Sequence, residues 1–295
     1  YGDPVLRQKC IDITPDYPAL DALIENMYSM FSIFRYYKIT PIFIFDGKTP
    51  IEKKELIIER RANKKKAEAD YNDLQSKLSS NDIDDNEYNE IKNKMYELKR
   101  QFVYLTKQDF HMVKELITAF GFCYIDAPNE ADEICAYLTI KGKVWGCLSE
   151  DMDMFVYGCP RVIRYFSVLN HKCVVYDLHK ILNNLQLNLH ELKQICVLSG
   201  TDYNKKSKKI NLYSVLQHFK KYKKKKIGLD FYVWLESTTT LIDSLESLYK
   251  IYHMFDITNL SSDYINYLNS FSIKTSNYNK QTIKLLLKDD GFLFI

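Results

Sequence analysis

The run Pro41-Ile42-Phe43-Ile44-Phe45 constrains this chain more than any other feature. It is continuously apolar and is cut off by Asp46-Gly47, so it reads as a strand covered on both faces, the kind a parallel sheet contains. Val144 to Leu148 repeats the pattern and is again followed by acids, Glu150, Asp151 and Asp153. Between and around these runs the periodicity is helical. Residues 19 to 34 place Leu20, Leu23, Ile24, Met27, Met30, Phe31 and Phe34 on one face, after Pro18. Phe122 to Ile125 predicts a short strand, and Pro128-Asn129 opens a helix. Arg161 to Ser167 and Cys173 to Tyr176 predict a hairpin, and Leu185 to Leu198 a helix that ends at Gly200. Alternating strands and helices predict an α/β fold with a mostly parallel sheet flanked by helices.

One stretch departs from that alternation. Residues 53 to about 119 contain neither glycine nor proline and predict helix, but Ser79 to Asn86 is polar and acidic and breaks the apolar pattern. Two helices joined by a projecting tip are expected there. Residues 229 to 295 are rich in Tyr, Leu and Asn and carry no motif.

Charge is segregated along the chain although the net value is only +3. Lys53 to Lys66 holds seven basic and two acidic residues, and Lys205 to Lys226 holds ten lysines and no acid. Basic runs of this kind are either solvated helix faces or a grip on a polyanion. The acids fall in four short clusters at predicted element ends: Asp46; Glu130 and Asp132; Asp151 and Asp153; and Asp202. Acids at helix starts serve as caps, favoured by the helix dipole. Gathered together, hard carboxylate oxygens suit Mg²⁺ or Mn²⁺. Asp46 and the Asp151/Asp153 pair follow buried strands, where open α/β sheets place their ligands. The seven cysteines form no CxxC pair and several lie in apolar runs, so they read as reduced core residues of an intracellular protein. No apolar run approaches the ~20 residues of a membrane span, so no membrane partner is expected.

Four segments in register carry a family resemblance: Ile44-Phe45-Asp46-Gly47-Lys48-Thr49-Pro50; Asp126-Ala127-Pro128-Asn129-Glu130-Ala131-Asp132; Ser149-Glu150-Asp151-Met152-Asp153 with Tyr157-Gly158; and Leu198-Ser199-Gly200-Thr201-Asp202-Tyr203. Together they resemble the structure-specific 5′ nucleases of the flap endonuclease and Rad2/XPG family, over roughly residues 1 to 225. The resemblance implies a PIN-like sheet. It implies an N-terminal region (1–52), a helical arch (53–119), an internal nuclease region (120–203) and a divergent helix–two-turn–helix (204–225); beyond it, a C-terminal helical extension of unassigned role (226–295) is expected. It implies a metal-dependent 5′ flap endonuclease with 5′ to 3′ exonuclease activity. Its substrate would be branched DNA with a single-stranded 5′ flap, RNA-containing flaps included, and the enzyme would act as a monomer, in the nucleus or at a site of viral replication. By resemblance, Asp46, Glu130, Asp132 and Asp151 would hold one Mg²⁺, and Asp153 and Asp202 would help position a second, with Mn²⁺ as substitute. Lys53 and Arg60, seven apart on one helix face, would reach the scissile phosphate. Arg61, Lys64, Lys65 and Lys66 would steer the threading strand. Phe102 and Tyr104, on the return helix, are placed to stack on bases or to pack in the core.

The pattern breaks in two places. The family opens with a strand bearing another metal-binding aspartate, and this chain starts at Tyr1 rather than methionine. The preferred expectation is that this strand precedes Tyr1; the rival makes Cys10-Ile11-Asp12-Ile13 that strand, with Asp12 its ligand. After Asp202, the family's glycine-rich turn is replaced by Asn204 to Asn211, with no glycine. Lys205, Lys206, Lys208 and Lys209 would hold duplex by charge instead. No sliding-clamp peptide is evident near the C-terminus. The competing expectations are a related 5′ ribonuclease and an inactive nucleic-acid-binding relative.

Overall fold

The computed structural model describes residues 4–7, 21–78, 84–102, 104–204, 210–225, 228–273 and 276–289. Its strands are β1 (Pro4–Arg7), β2 (Ile42–Phe45), β3 (Cys123–Asp126), β4 (Gly146–Leu148), β5 (Arg161–Ser167) and β6 (Lys172–Asp177). Its helices are α1 (Asp21–Tyr36), α2 (Lys54–Leu78), α3 (Asp85–Lys99), α4 (Lys107–Ala119), α5 (Ala131–Ile140), α6 (Asp153–Tyr157), α7 (Leu178–Leu185), α8 (Leu189–Ser199), α9 (Leu212–Lys225), α10 (Phe231–Thr238), α11 (Leu245–Met254), α12 (Ser262–Ser270) and α13 (Lys280–Asp289). The expected strand–helix alternation is met. No helix among the described residues is long and apolar enough to cross a membrane. The chain forms two compact units.

The first unit contains residues 1–7, 44–53 and 126–272. Its strands run in the order β1-β4-β5-β6. β1 and β4 are parallel with Val5 opposite Cys147, β4 and β5 are parallel with Cys147 opposite Val162, and β5 and β6 form the expected antiparallel hairpin. β1 is a strand that sequence patterning does not pick out; Cys10 to Ile13, with Asp12, lies outside the described residues. Helix α5 lies against β1 and β4, burying Ile134, Cys135 and Leu138. A second apolar layer forms where α8 meets α9 and α11. There Phe219, Phe231 and Trp234 bury a continuous aromatic cluster whose Phe219–Phe231 centroids lie 4.9 Å apart, so the motif-free C-terminal stretch contributes a core of its own.

The second unit contains residues 8–43, 54–125 and 273–295. Helices α1 and α4 pack together, and α13 lies on α4. Phe31 is fully buried among Phe43, Phe120 and Phe122, with centroids 4.9, 5.2 and 5.7 Å away. The Arg35 guanidinium sits 3.8 Å over the Tyr278 ring and its Nη1 donates to the Phe120 carbonyl at 3.3 Å, tying α1 to the segment before α13. Helix α2 buries only Ala67 and packs along α3, which is equally polar.

Two expected helices are divided. The stretch to residue 119 is not one return helix: α3 stops at Lys99 and α4 starts at Lys107. Thr106 and Asp109 form a reciprocal capping box that fixes the new start. Phe102 and Tyr104 therefore lie between helices. Phe102 packs on Tyr71 at 5.4 Å, and the Tyr104 hydroxyl donates to Glu68. Likewise Leu185 to Leu198 is split: Gln186 takes a left-handed conformation (φ 54°) and ends α7, and an Asn188/Glu191 capping box opens α8.

Candidate active site

Asp46, Lys53, Glu130, Asp132, Asp151, Asp153 and Asp202 all belong to the first unit. The strand-end motif is held to the helix-start motif by backbone. Ala127 N–H donates to the Phe45 carbonyl at 2.9 Å, Gly47 N–H to the Asn129 carbonyl at 2.6 Å, and Lys48 N–H to the Pro128 carbonyl at 3.1 Å. This docking lets Asp46 reach the next helix. Its Oδ1 accepts from Ala131 N–H at 2.8 Å, at the first residue of α5, where an anion meets the positive end of the helix dipole.

Glu130 is the N-cap residue of α5, but its carboxylate makes no capping bond. It is 3% exposed and turns inward instead. Lys53 Nζ lies 2.8 Å from Glu130 Oε1 and 3.8 Å from Asp202 Oδ2. The Tyr203 hydroxyl donates to Glu130 Oε2, and Lys53 Nζ also sits 4.6 Å over the Tyr203 ring. Asp202 and Tyr203 are released into this position by Gly200, whose φ of 103° ends α8. Asp132, in the first turn of α5, is 2% exposed.

After β4, Asp151 N–H donates to Ser149 Oγ at 3.1 Å and Asp151 Oδ1 accepts from Asp153 N–H at 2.8 Å. The i, i+2 pair thus folds into a turn that starts α6. The neighbouring Glu150 is committed to Arg164, 3.3 Å away.

Two features correct the sequence reading. Lys53 and Arg60 do not share one helix: Lys53 closes the 3₁₀ turn Ile51–Lys53 and is 3% exposed, whereas Arg60 lies on α2, in the second unit, and is exposed. Burial of Lys53 follows from its two carboxylate partners, since a buried ammonium needs compensating charge. Arg61, Lys65 and Lys66 are exposed on α2, and Lys64 lies 5.6 Å over the Tyr104 ring. Lys205, Lys206, Lys208 and Lys209 lie outside the described residues. In addition, no group of three acidic, histidine or cysteine side chains among the described residues converges closely enough to hold an ion as the side chains stand. The hydrogen bonds explain why: Asp46 and Asp151 are turned onto backbone N–H groups, and Glu130 onto Lys53 and Tyr203.

The site nevertheless suits a divalent cation. Every donor is a hard oxygen, and negative charge is in excess. Glu133, which the sequence reading passed over although it adjoins Asp132, is pushed up to about 7 by burial first and then by the charge of Glu130, with Lys53 opposing. Tyr157 and Tyr203 stand within the motifs but carry no role in the sequence reading. Both are buried, their hydroxyls lie 3.2 Å apart, and both phenols are pushed well above their ordinary range, mainly by burial.

The chain is also similar to known proteins. Residues 7–67 match the XPG N-terminal domain and residues 121–202 the XPG I-region. Flap endonuclease 1 of Methanocaldococcus jannaschii is 31% identical over 166 residues, which are 56% of this chain and 47% of that protein. The chain thus spans about half the length of the curated relatives it matches. Among solved structures, the catalytic core of Rad2 in complex with DNA substrate matches with a TM-score of 0.66 at 18% identity, covering 98% of this chain and 88% of that one. The Holliday junction-resolving enzyme GEN1, in complex with product DNA and Mg²⁺, matches with a TM-score of 0.62 at 18% identity, covering 97% and 64%. At these identities the structures speak for the fold, and that fold agrees with the α/β, PIN-like expectation. Both domain matches lie in chain order and contain the four acid clusters, so in these two segments the chain is similar to the Rad2/XPG family.

Proposed function

We propose that this chain is a metal-dependent, structure-specific 5′ flap endonuclease with associated 5′ to 3′ exonuclease activity, acting as a monomer on branched DNA. The observation that carries the reading is the meeting of Glu130 and Asp202, from distant segments, at the buried Lys53 ammonium, with Asp46 docked on the first residue of the helix that Glu130 opens. Acids that served only as separate caps would have no reason to share a cation.

Two Mg²⁺ ions, or Mn²⁺ in their place, would supply an activated water and stabilisation of the leaving alkoxide. Asp46, Glu130, Asp132 and Asp151 are the residues to hold the first, and Asp153 and Asp202 those to position the second. Lys53 is a fixed cation beside them, suited to neutralising charge that develops on the scissile phosphate. Arg60 would contribute in the same sense from α2. Arg61, Lys64, Lys65 and Lys66 would follow the backbone of the single strand through charge, without reading sequence. Thiols without disulfide partners, six of them among the described residues, support a reducing intracellular setting.

The test is cleavage of a 5′-labelled double-flap DNA and its RNA-flap counterpart with Mg²⁺ or EDTA, using the wild type and Asp151→Ala. Metal-dependent cutting near the flap junction, lost in Asp151→Ala, is the expected result. Binding without cutting under all conditions overturns the catalytic reading and leaves a nucleic-acid-binding relative.

A further inference from the structure

The stretch that follows α9 carries no motif, and the family matches end at residue 202. It nonetheless delivers a side chain to the back of the site. Phe255, immediately after α11, is 1% exposed. Its ring meets Tyr157 at 5.0 Å and 63°, and Tyr203 at 5.3 Å and 83°, both edge-to-face. One apolar ring therefore limits the swing of both phenols.

The phenols act in series. Tyr203 has one hydroxyl hydrogen, and it goes to Glu130 Oε2. In the 3.2 Å contact between the two hydroxyls, Tyr157 is therefore the donor, and the order is Tyr157 to Tyr203 to Glu130. Oε2 of Glu130 is committed to this chain, while Oε1 is the oxygen already turned towards a cation, the Lys53 ammonium. Phe255 is itself anchored from α8: the buried Lys193 places Nζ 3.3 Å from the Phe255 carbonyl and 2.6 Å from Asp256 Oδ1. His253 Nδ1 lies 2.9 Å from the other Asp256 oxygen.

We propose that Phe255 and Tyr203 are positioning residues for the metal-holding carboxylate of Glu130, with Phe255 acting through Tyr203. The inference rests on the reading of Glu130 as a metal ligand. Its physical content is that a carboxylate fixed through one oxygen presents the other at no further ordering cost, and partners of this kind are commonly worth a roughly 10- to 100-fold factor in metal affinity.

The experiment is Mn²⁺ binding to the full chain, followed calorimetrically and by the loss of free Mn²⁺ resonance, in the wild type, Glu130→Gln, Tyr203→Phe, Phe255→Leu and the Tyr203→Phe/Phe255→Leu double variant. Melting curves establish that each is folded, and Phe255→Met replaces Phe255→Leu should the latter fail to fold. The expected result is a roughly 10- to 100-fold weaker Mn²⁺ dissociation constant in Tyr203→Phe. A smaller weakening is expected in Phe255→Leu, and it should vanish in the Tyr203→Phe background, because two residues acting through one path are not additive. A purely structural contribution of Phe255 would weaken binding equally in both backgrounds, and that result overturns the proposal. So does unchanged affinity in Tyr203→Phe. Wild-type affinity in Glu130→Gln overturns the ligand reading itself and the inference with it, whereas the first two outcomes leave the ligand reading intact.

Discussion

Gly47 offers a quantitative test of how Asp46 is held. Its backbone is not in the left-handed region, so the requirement for glycine is space rather than conformation. A Cβ at this position would lie 2.0 Å from the Ala127 carbonyl oxygen, 2.7 Å from that of Pro128 and 2.8 Å from the Pro128 carbonyl carbon. All three are backbone atoms and cannot swing aside. Restoring an ordinary separation of about 3.5 Å requires the two segments to part by more than ~1 Å. That separation breaks the Gly47–Asn129 and Lys48–Pro128 backbone bonds, at about 1 kcal/mol each. Overpacking adds about 1–3 kcal/mol, for a total of roughly 3–5 kcal/mol. At about 2–4 °C per kcal/mol, Gly47→Ala should lower Tm by about 6–20 °C. The Asp46 carboxylate moves with its loop, and a displacement of ~1 Å at a reacting centre costs on the order of 10²-fold in rate. Single-turnover flap cleavage well below the melting transition separates that loss from unfolding. Gly142→Ala is the control: nothing lies within 4 Å of the added carbon and only its φ of 67° opposes it, a cost of about 1–2 kcal/mol without effect on cleavage. A Gly47→Ala protein with the melting temperature and cleavage rate of the wild type would refute the close-approach argument. Lowered Tm with full cleavage would refute only the dependence of catalysis on the placement of Asp46.

Two further outcomes are expected. Asp230 is a hub of α10: burial would raise its pKa, but hydrogen bonds from the Tyr249 hydroxyl, the Tyr232 N–H and the Gln194 amide, and the neighbouring His190, outweigh it and leave it lowered. A carboxyl with a depressed folded pKa stabilises the protein above its unfolded value of about 3.9 and loses that contribution as pH falls through the folded value. Melting temperature should therefore drop less steeply below pH ~4 in Asp230→Asn than in the wild type, and parallel acid limbs would remove Asp230 from the account. For the basic face of α2, replacing Lys64, Lys65 and Lys66 with serine should make log K against log salt shallower, by about 0.7 for each single-strand phosphate no longer neutralised; an unchanged slope in a flap-binding titration would assign these lysines to solvent.

Much of the fold is legible in the sequence because its signals are local. Buried strands β2 and β4 announce themselves as short apolar runs closed by acids, and α1 by its periodic apolar face. The misplaced boundaries have local signals too, but of a kind easily outweighed. Thr106-x-x-Asp109 and Asn188-x-x-Glu191 are capping boxes readable in the sequence. They lie in stretches free of proline and rich in helix formers, where propensity favours one unbroken helix. Strand β1 is hidden because four residues give too little pattern to separate a strand from a loop.

The site divides along the same line. Each acid cluster stands at the end of an element, and element ends are what periodicity locates. What surrounds the acids is set by pairs far apart in sequence. Tyr203 and Glu130 are separated by 73 residues, and Phe255 reaches Tyr157 from a stretch with no motif at all. Lys53 shows the limit most clearly. At the head of a basic run it reads, with Arg60, as half of a pair on one helix face aimed at a phosphate, and nothing in its neighbours says that it will be 3% exposed between Glu130 and Asp202. Only the closing of distant segments makes that burial tolerable, because the desolvation cost of an ammonium is offset by carboxylates that themselves need a partner. The charges of the site therefore hold one another in place before any substrate arrives. Whatever Lys53 does at a phosphate, it must exchange one anionic partner for another rather than be drawn out of solvent.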